Sequence, residues 1–320
     1  PVLRTTVGID AAKSIVSRNS SPDLPFDQSI NPYRGCEHGC VYCYARPTHA
    51  YLGLSPGLDF ETKLFAKPNA PELLKKELRK SNYQCKIIML GANTDPYQPI
   101  ERDHKVTRHI LKVLSDANHP VAITTKSDLV LRDIDILTDM AKRKLVSVAV
   151  SVTTLDAKLA RTLEPRAPRP GKRLAAIEGL NTNGIPTTVL ASPMIPFLND
   201  WELEQILEAA ANAGAKSAHY ILLRLPLELR GMFSEWLDEH VPGKAKHVLN
   251  QLRESRNGNL CISNFTTRMS GTGTHADLLA KRFRLAAERW SLNIGRNWED
   301  GLDTARFNPP KEVGDQLILL

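Results

Sequence analysis

Residues 31–47 read NPYRGCEHGCVYCYARP and contain three cysteines, Cys36, Cys40 and Cys43, within eight positions. Gly35 and Gly39 allow the backbone between them to turn, so several sulfur atoms can approach one point. Clustered thiolates at such spacing bind a soft metal ion or an iron–sulfur cluster. We therefore expect this loop to be a metal-binding site.

A zinc site is one alternative interpretation of the three cysteines. Structural zinc usually has four closed ligands from two close pairs, whereas the gaps here are three residues and then two. His38, Cys85 or Cys261 could supply a fourth ligand, although Cys85 and Cys261 are more simply small core residues. Three thiolates on a four-iron cluster would instead leave one iron open for chemistry. A set of unrelated buried thiols is the remaining alternative.

The composition excludes several classes of protein. The chain has 320 residues, 42% of them hydrophobic and 24% charged, which argues against a disordered, collagen-like or disulfide-scaffold protein. No apolar run approaches the roughly 18 residues that span a bilayer, so we expect no membrane segment. The few unpaired thiols suit a reducing compartment, and we expect the cytoplasm.

Strand-like runs alternate with amphipathic stretches after the cysteine loop. The candidate strands are 86–90, 121–125, 146–152, 187–191 and 219–223, and the candidate helices are 71–80, 103–118, 132–143, 171–183 and 200–213. This rhythm predicts an α/β protein with a parallel sheet, either a full TIM barrel, a doubly wound sheet or a partial barrel. In all three folds ligands bind at the carboxyl ends of the strands.

The cysteine spacing CX3CXΦC, with Tyr42 as its aromatic residue, resembles the signature of radical S-adenosylmethionine (SAM) enzymes. Residues 31–47 resemble uncharacterised bacterial proteins that are grouped with spore photoproduct lyase and loosely called DNA repair photolyases. The similarity covers roughly residues 30–225. It implies a partial (β/α)6 TIM-like barrel at residues 30–265, preceded by an N-terminal extension, 1–29, and followed by a basic, helical C-terminal extension, 266–320.

The resemblance also implies two cofactors and the residues that bind them. Cys36, Cys40 and Cys43 would bind a [4Fe-4S] cluster, whose open iron chelates SAM, and reductive cleavage of SAM would give a 5′-deoxyadenosyl radical. Asn93, Thr94 and Asp95, in the loop after the first internal strand, would contact the SAM ammonium group, and Lys126, after the second strand, would lie near its carboxylate. Ser151, within the third predicted strand, and Tyr42, beside the cluster, would also contact SAM.

A basic, proline-rich segment, 164–173, opens one of the predicted helices. Such a position suits an anion, and Arg166 and Arg173 could bind the cofactor carboxylate or a substrate phosphate. A solvated loop is the alternative interpretation of this segment.

Tyr42 and Tyr44 match the tyrosines that flank the last cluster cysteine in spore photoproduct lyase. The lyase also has a hydrogen-donating cysteine in the loop after its first internal strand, where this chain has Ala92 and Asn93. This departure argues against thymine-dimer reversal. Tyr97, in the same loop, is an alternative radical relay.

The charge allows contact with the phosphates of a nucleic acid, and a solvated helix face explains it equally well. The net charge is +7, and its excess lies partly in the C-terminal region, at Arg268, Lys281, Arg282, Arg284 and Arg289. Two alternatives stay open: a non-catalytic, metal-stabilised nucleic-acid-binding protein, and a radical SAM enzyme that acts on a peptide or a small metabolite. The hypothesis of a radical SAM enzyme implies an electron donor such as flavodoxin or ferredoxin.

Overall fold

A parallel β-sheet with helices between its strands forms the centre of the molecule. The computed structural model describes residues 4–292 and 301–311. In this part of the chain the strands are β1 (Thr6–Ile9), β2 (Val16–Arg18), β3 (Gln28–Ile30), β4 (Tyr33–Arg34), β5 (Lys63–Ala66), β6 (Ile88–Leu90), β7 (Val121–Thr125), β8 (Val146–Ser151), β9 (Thr187–Met194) and β10 (Ser217–Leu222).

Eleven α-helices accompany these strands in the part of the chain that the structure describes. In the described residues they are α1 (Leu58–Thr62), α2 (Ala70–Leu78), α3 (Glu101–His104), α4 (Val106–Asp116), α5 (Ile134–Lys142), α6 (Ala157–Leu163), α7 (Pro170–Thr182), α8 (Leu203–Asn212), α9 (Leu229–His240), α10 (Pro242–Glu254) and α11 (Thr274–Arg289).

The larger sheet has the strand order β10-β9-β8-β7-β6-β3-β2. From β3 to β10 every neighbouring pair of strands is parallel, and β2 is antiparallel to β3 at the edge. Because each parallel link needs a crossover, the helices lie between successive strands, as in a partial (β/α)6 barrel. This confirms the predicted fold class. A separate small sheet has the order β1-β5-β4.

Burial explains why these segments form these elements. Every residue of β8 is buried, as expected for a strand that is covered on both faces. Helix α4 buries Ile110, Leu111 and Leu114 on one side, which is the spacing of an amphipathic helix. The predicted helix 103–118 is divided into α3 and α4 because Lys105 adopts a left-handed conformation, with φ of 51°.

Segments from both predicted extensions pack onto the barrel sheet. Strand β2 and most of β3 come from the predicted N-terminal extension, and β3 leads directly into the cysteine loop. Helix α11 packs against α8 and β10 on the outside of the sheet, and it is the helix found after residue 266 in the part of the chain that the structure describes, where residues 301–311 form none. None of the helices in residues 4–292 and 301–311 is long and apolar enough to cross a membrane.

Candidate active site

The cysteine loop lies at the carboxyl end of β3, where a parallel sheet binds its ligands. Its backbone is tied to neighbouring elements: the Cys36 N–H donates to the Phe60 carbonyl at 2.9 Å, and the Val41 N–H donates to the Leu163 carbonyl at 3.0 Å. Cys36 and Cys40 are buried and Cys43 is half-buried. The loop is therefore tied to neighbouring elements, and its cysteines are largely shielded from solvent.

A buried arginine, Arg46, stabilises the cysteine loop by hydrogen bonds to its backbone carbonyls. Arg46 donates from Nε to the Cys40 carbonyl at 2.8 Å and from Nη2 to the Gly39 carbonyl at 2.9 Å, and it also bonds two carbonyls of the following turn. Glu61 pairs with Arg46 at 3.4 Å and with Arg166. These bonds satisfy carbonyls that the tight loop cannot pair by itself.

Gly39 is expected to be irreplaceable within this arrangement. Its φ is +68°, and an added Cβ would lie 2.1 Å from Glu61 Oε2 and 2.6 Å from Arg166 Nη2. Gly39→Ala must therefore break the Glu61–Arg166 pair in addition to straining the backbone. We expect it to lower the free energy of unfolding by about 2 kcal/mol more than backbone strain alone does.

Gly53→Ala is the matched control for this prediction. Gly53 has the same φ of +68°, but an added Cβ would meet nothing within 4 Å. Urea unfolding of the two variants separates strain from steric overlap. Equal losses of stability would show that the contact with the ion pair is unimportant.

The three thiols fit an iron–sulfur cluster. Burial raises the pKa of Cys36 well above its usual value, and the neighbouring Asp95, Cys40 and Cys43 add to this increase. Burial likewise raises the pKa of Cys40 to about 12. Two buried thiols whose pKa values are raised in this way require a strongly cationic group to deprotonate them.

A single zinc ion fits this part of the structure less well. Zinc draws its ligands to about 2.0–2.3 Å from one point. Within residues 4–292 and 301–311, no three cysteine, histidine or carboxylate side chains converge on a position that one metal ion could occupy. A four-iron cluster binds each thiolate at a different iron, so separated thiols suit it better.

The loop after β6 is bonded to β7 through Asp95. The Asp95 carboxylate accepts the Thr125 hydroxyl at 2.6 Å, the Lys126 N–H at 2.7 Å and the Tyr97 N–H at 2.9 Å, and it lies 3.4 Å from His38 Nδ1. Burial alone would raise the pKa of Asp95, but His38 and these donors more than offset it and lower the pKa to about 2. Asp95 thus joins the cysteine loop to the strand ends.

The neighbouring residues of this loop have different surroundings. The Thr94 hydroxyl donates to the Tyr33 carbonyl at 3.1 Å, and the Asn93 N–H donates to Asn31 Oδ1 at 2.8 Å. The Asn93 side chain is exposed to solvent. Thr94 and Asp95, two of the three residues predicted to bind the SAM ammonium group, form hydrogen bonds that connect neighbouring loops. The Asn93 side-chain amide forms no hydrogen bond within residues 4–292 and 301–311.

Glu164 is the centre of a second buried network, beneath Tyr42. It accepts the Tyr42 hydroxyl, pairs with Arg173 and accepts the Thr153 hydroxyl at 2.7 Å. Burial would raise the pKa of Glu164, but Arg173 and Lys126 outweigh it and lower the pKa to about 2. The network therefore holds a buried ion pair that fixes the orientation of Tyr42.

The predicted anion-binding arginines are bonded within the protein. Arg173 is only 1% exposed and donates to the carbonyls of Ser151 at 3.1 Å and Pro168 at 2.7 Å, besides its pair with Glu164. Arg166 pairs with Glu61 below the cysteine loop. Ser151 lies at the end of β8 with its side chain buried, close to this network.

Two cations lie over the two tyrosines that flank Cys43. The Lys126 ammonium is 5.8 Å from the centre of the Tyr42 ring, and the Arg224 guanidinium is 5.2 Å from the centre of the Tyr44 ring. The Tyr44 hydroxyl donates to the carbonyl of Ala92. The structure therefore brings Tyr42, Tyr44 and Lys126 together at the mouth of the barrel.

Tyr97 lies in a different hydrophobic cluster from Tyr42. Its ring is fully buried in the main hydrophobic core, whereas Tyr42 packs in a second cluster with Cys40. The Arg132 guanidinium is 5.9 Å from its ring. Cys85 and Cys261 are half-buried and lie outside both clusters.

The predicted basic surface is partly neutralised. Arg268 forms a two-point ion pair with Asp23, and Arg282 bonds both oxygens of Glu204 at 2.7 and 2.6 Å. Lys281 and Arg284 are exposed on α11, and Arg289 stacks on its neighbour Trp290 at 5.5 Å. Because α11 packs on the outside of the sheet, the four charges that it carries, Lys281, Arg282, Arg284 and Arg289, do not line the mouth of the barrel.

Several contributors to the site had no separate signal in the sequence. Arg46 bonds the carbonyls of the cysteine loop and pairs with Glu61, and Arg224 lies over the Tyr44 ring. Arginine and glutamate are ordinarily surface residues, so the sequence did not indicate these roles. The position of Arg46, three residues after Cys43, was the available clue.

Comparison with known proteins agrees with this geometry. A model of the radical SAM superfamily matches residues 30–210. An uncharacterized protein of Mycobacterium tuberculosis is 39% identical over 216 residues, covering 67% of this chain and 64% of the relative. An uncharacterized protein of Methanocaldococcus jannaschii is 35% identical over 222 residues, covering 69% and 79%.

The fold is also found among solved structures. A mutant spore photoproduct lyase with bound S-adenosylmethionine and dinucleoside spore photoproduct has a TM-score of 0.57 at 14% identity, over 89% of this chain and 78% of that chain. The chain matches slightly less than two thirds of the mycobacterial relative's length. Enzymes of the matching superfamily use a [4Fe-4S] cluster and SAM, and the resemblance seen in the cysteine loop is confirmed. This chain belongs to the radical SAM superfamily of enzymes.

Proposed function

We propose that this protein binds a [4Fe-4S] cluster through Cys36, Cys40 and Cys43 and cleaves SAM to abstract hydrogen from a nucleic-acid substrate. The observation that carries the proposal is the buried three-thiol loop at the carboxyl end of a parallel sheet, with Lys126 and two tyrosines beside it. When bound, the cluster supplies the electron that splits the carbon–sulfur bond of SAM.

The residues of the chain bind and orient the cofactor. Lys126 is half-buried, and its ammonium has no ion pair or hydrogen bond in the described part of the chain, so it is available for the carboxylate of SAM. The exposed amide of Asn93 is available for the ammonium group. Arg46 and Asp95 keep the loops that carry these groups in position.

Tyr42 and Tyr44 occupy the space between the cysteine loop and the substrate side of the site. Tyr42 is held by Glu164 and contributes a buried, water-excluding surface. Tyr44 is 46% exposed and can contact a substrate directly. We propose that Tyr44 is the residue of this pair that meets the substrate.

The fold likeness to spore photoproduct lyase supports a nucleic-acid substrate, because that enzyme was solved with a dinucleoside photoproduct. The chain has no cysteine in the loop after β6, and its two remaining cysteines lie at positions 85 and 261. The substrate is therefore proposed to be a nucleic acid other than the thymine photoproduct. A flavodoxin or ferredoxin is the expected electron donor, in the reducing environment of the cytoplasm.

Anaerobic reconstitution with iron and sulfide tests this function. The reduced protein is given SAM, and 5′-deoxyadenosine is measured by chromatography against a sample without reductant. Reductant-dependent product supports the proposal. A protein that binds one zinc ion tightly and forms no 5′-deoxyadenosine would support the non-catalytic binding protein instead.

A further inference from the structure

We propose that Arg224, stacked on Tyr44, binds a phosphate group of a single-stranded nucleic acid at the mouth of the barrel. This inference rests on the proposed function and assigns a residue to substrate recognition.

The position of Arg224 is the first observation. It follows β10, at the edge of the sheet, whereas Tyr44 is bonded to Ala92, which follows β6. Three strands separate β10 from β6 in the sheet. The Arg224 guanidinium is 5.2 Å from the centre of the Tyr44 ring, so this contact spans the mouth of the barrel. Tyr44 directly follows Cys43, one of the proposed cluster ligands.

The second observation is that the Arg224 guanidinium has no polar partner. It is half-buried, yet in residues 4–292 and 301–311 it forms no ion pair and donates no hydrogen bond. Every other arginine of this part that is buried or half-buried donates to a carboxylate or to a carbonyl. They are Arg46, Arg79, Arg108, Arg132, Arg143, Arg166, Arg173, Arg256, Arg268 and Arg282.

A second arginine, Arg256, lies near Arg224 and adds positive charge to this part of the site. Arg256 is buried close by and donates to three carbonyls, at Leu222, Leu223 and Arg268. Burial lowers the pKa of Arg256 to about 10, and repulsion from Arg224 adds to the lowering. Neither guanidinium forms an ion pair within residues 4–292 and 301–311, so together they create a positive potential that an anion would relieve.

The chemistry of the pair favours a phosphate of single-stranded nucleic acid. A guanidinium binds a phosphate through two parallel hydrogen bonds, and its donors are free here. The half-exposed ring of Tyr44 beside it can stack on a base. An unpaired cation next to an exposed aromatic ring is the arrangement by which proteins hold single strands.

Binding of a fluorescein-labelled oligothymidylate to the reconstituted protein tests the inference. The dissociation constant is measured by anisotropy across a range of salt concentrations for the wild type, Arg224→Gln, Arg224→Lys and Arg284→Gln. We expect Arg224→Gln to weaken binding about tenfold and to reduce the salt slope by about 0.7, as expected for the loss of one phosphate contact. Arg224→Lys should lie between, because it keeps the charge but loses the two-point geometry.

Arg284→Gln is the matched control, because Arg284 is exposed on α11 and has the same charge. It should bind as the wild type does. An equal loss in both variants would mean that only net charge matters, and an unchanged Arg224→Gln would overturn the assignment. Displacement of the oligonucleotide by an acidic peptide at equal concentration would assign Arg224 to carboxylates and also overturn it.

Cleavage of SAM by the same wild-type preparation separates the two proposals. A wild type that forms 5′-deoxyadenosine but binds no oligonucleotide overturns the role of Arg224 and leaves the radical activity intact. A wild type that does neither overturns the proposed function itself.

Discussion

Replacing Cys40 with alanine is expected to abolish the formation of 5′-deoxyadenosine. Cys40 is buried, and burial raises the pKa of its thiol to about 12 although Lys126 and Arg173 oppose the increase, so this thiol ionises only when it binds a strongly cationic group. Two remaining thiols would hold a four-iron cluster poorly. We expect activity to fall by more than about a hundredfold, since even the loss of an outer partner of a metal ligand costs about 10- to 100-fold. Iron content and the visible absorption of the cluster should fall with it.

Cys261→Ala is the matched control for this loss. Cys261 is a half-buried free thiol outside the cysteine loop, so its removal should leave iron content and product formation as in the wild type. Equal losses in both variants would point to damaged folding instead of a lost ligand. Full activity of Cys40→Ala would show that another side chain, with His38 the nearest in the loop, replaces the thiolate.

The alternating part of the fold was predictable because each element carries its own signal. Strand β7 agrees with its predicted bounds, since Val121–Thr125 is a short run of β-branched and apolar residues between helical stretches. Strand β3 had no such signal. Its residues Gln28 and Ser29 are polar yet buried, and Gln28 is satisfied by Tyr83 at 2.9 Å and by the Gln84 carbonyl at 3.2 Å. A strand whose burial depends on distant partners leaves no hydrophobic pattern.

The site was predictable where one local segment carries it. The cysteine loop needs only its own spacing, and the structure places that loop at the predicted edge of the sheet. The pairing of the charged residues depends instead on contacts distant in sequence: Arg166 meets Glu61, 105 positions away, and Tyr42 meets Glu164, 122 positions away. A sequence of charges cannot show which of them neutralise one another and which, like Arg224, stay free.

Replacing Glu164 with glutamine is expected to destabilise the protein more than any other conservative change of a carboxylate near the site. The change removes the partner of Arg173, which is 1% exposed, and leaves a buried guanidinium without a counter-charge. The depressed pKa gives the size of the effect: a shift from 4.5 to about 2 corresponds to roughly 3 kcal/mol at neutral pH. Urea unfolding followed by tryptophan fluorescence measures it.

The effect should depend on pH in one direction. Because the folded pKa of Glu164 is below its unfolded value of 4.5, its contribution to stability is complete above about pH 5 and is lost as the pH falls toward 2. The stability difference between the wild type and Glu164→Gln should therefore shrink from about 3 kcal/mol at pH 7 to about 2 kcal/mol at pH 3.5.

Glu208→Gln is the control, since Glu208 is exposed on α8 and its change should stay within about 0.5 kcal/mol at both pH values. A loss below about 1 kcal/mol for Glu164→Gln at pH 7 would mean that Glu164 is already protonated in the folded protein. Tyr42 would then be held by a neutral hydrogen bond, and Arg173 would find its counter-charge in the thiolates of the cysteine loop. The pH dependence distinguishes these two arrangements, because only an ionised Glu164 makes the two stability curves converge in acid.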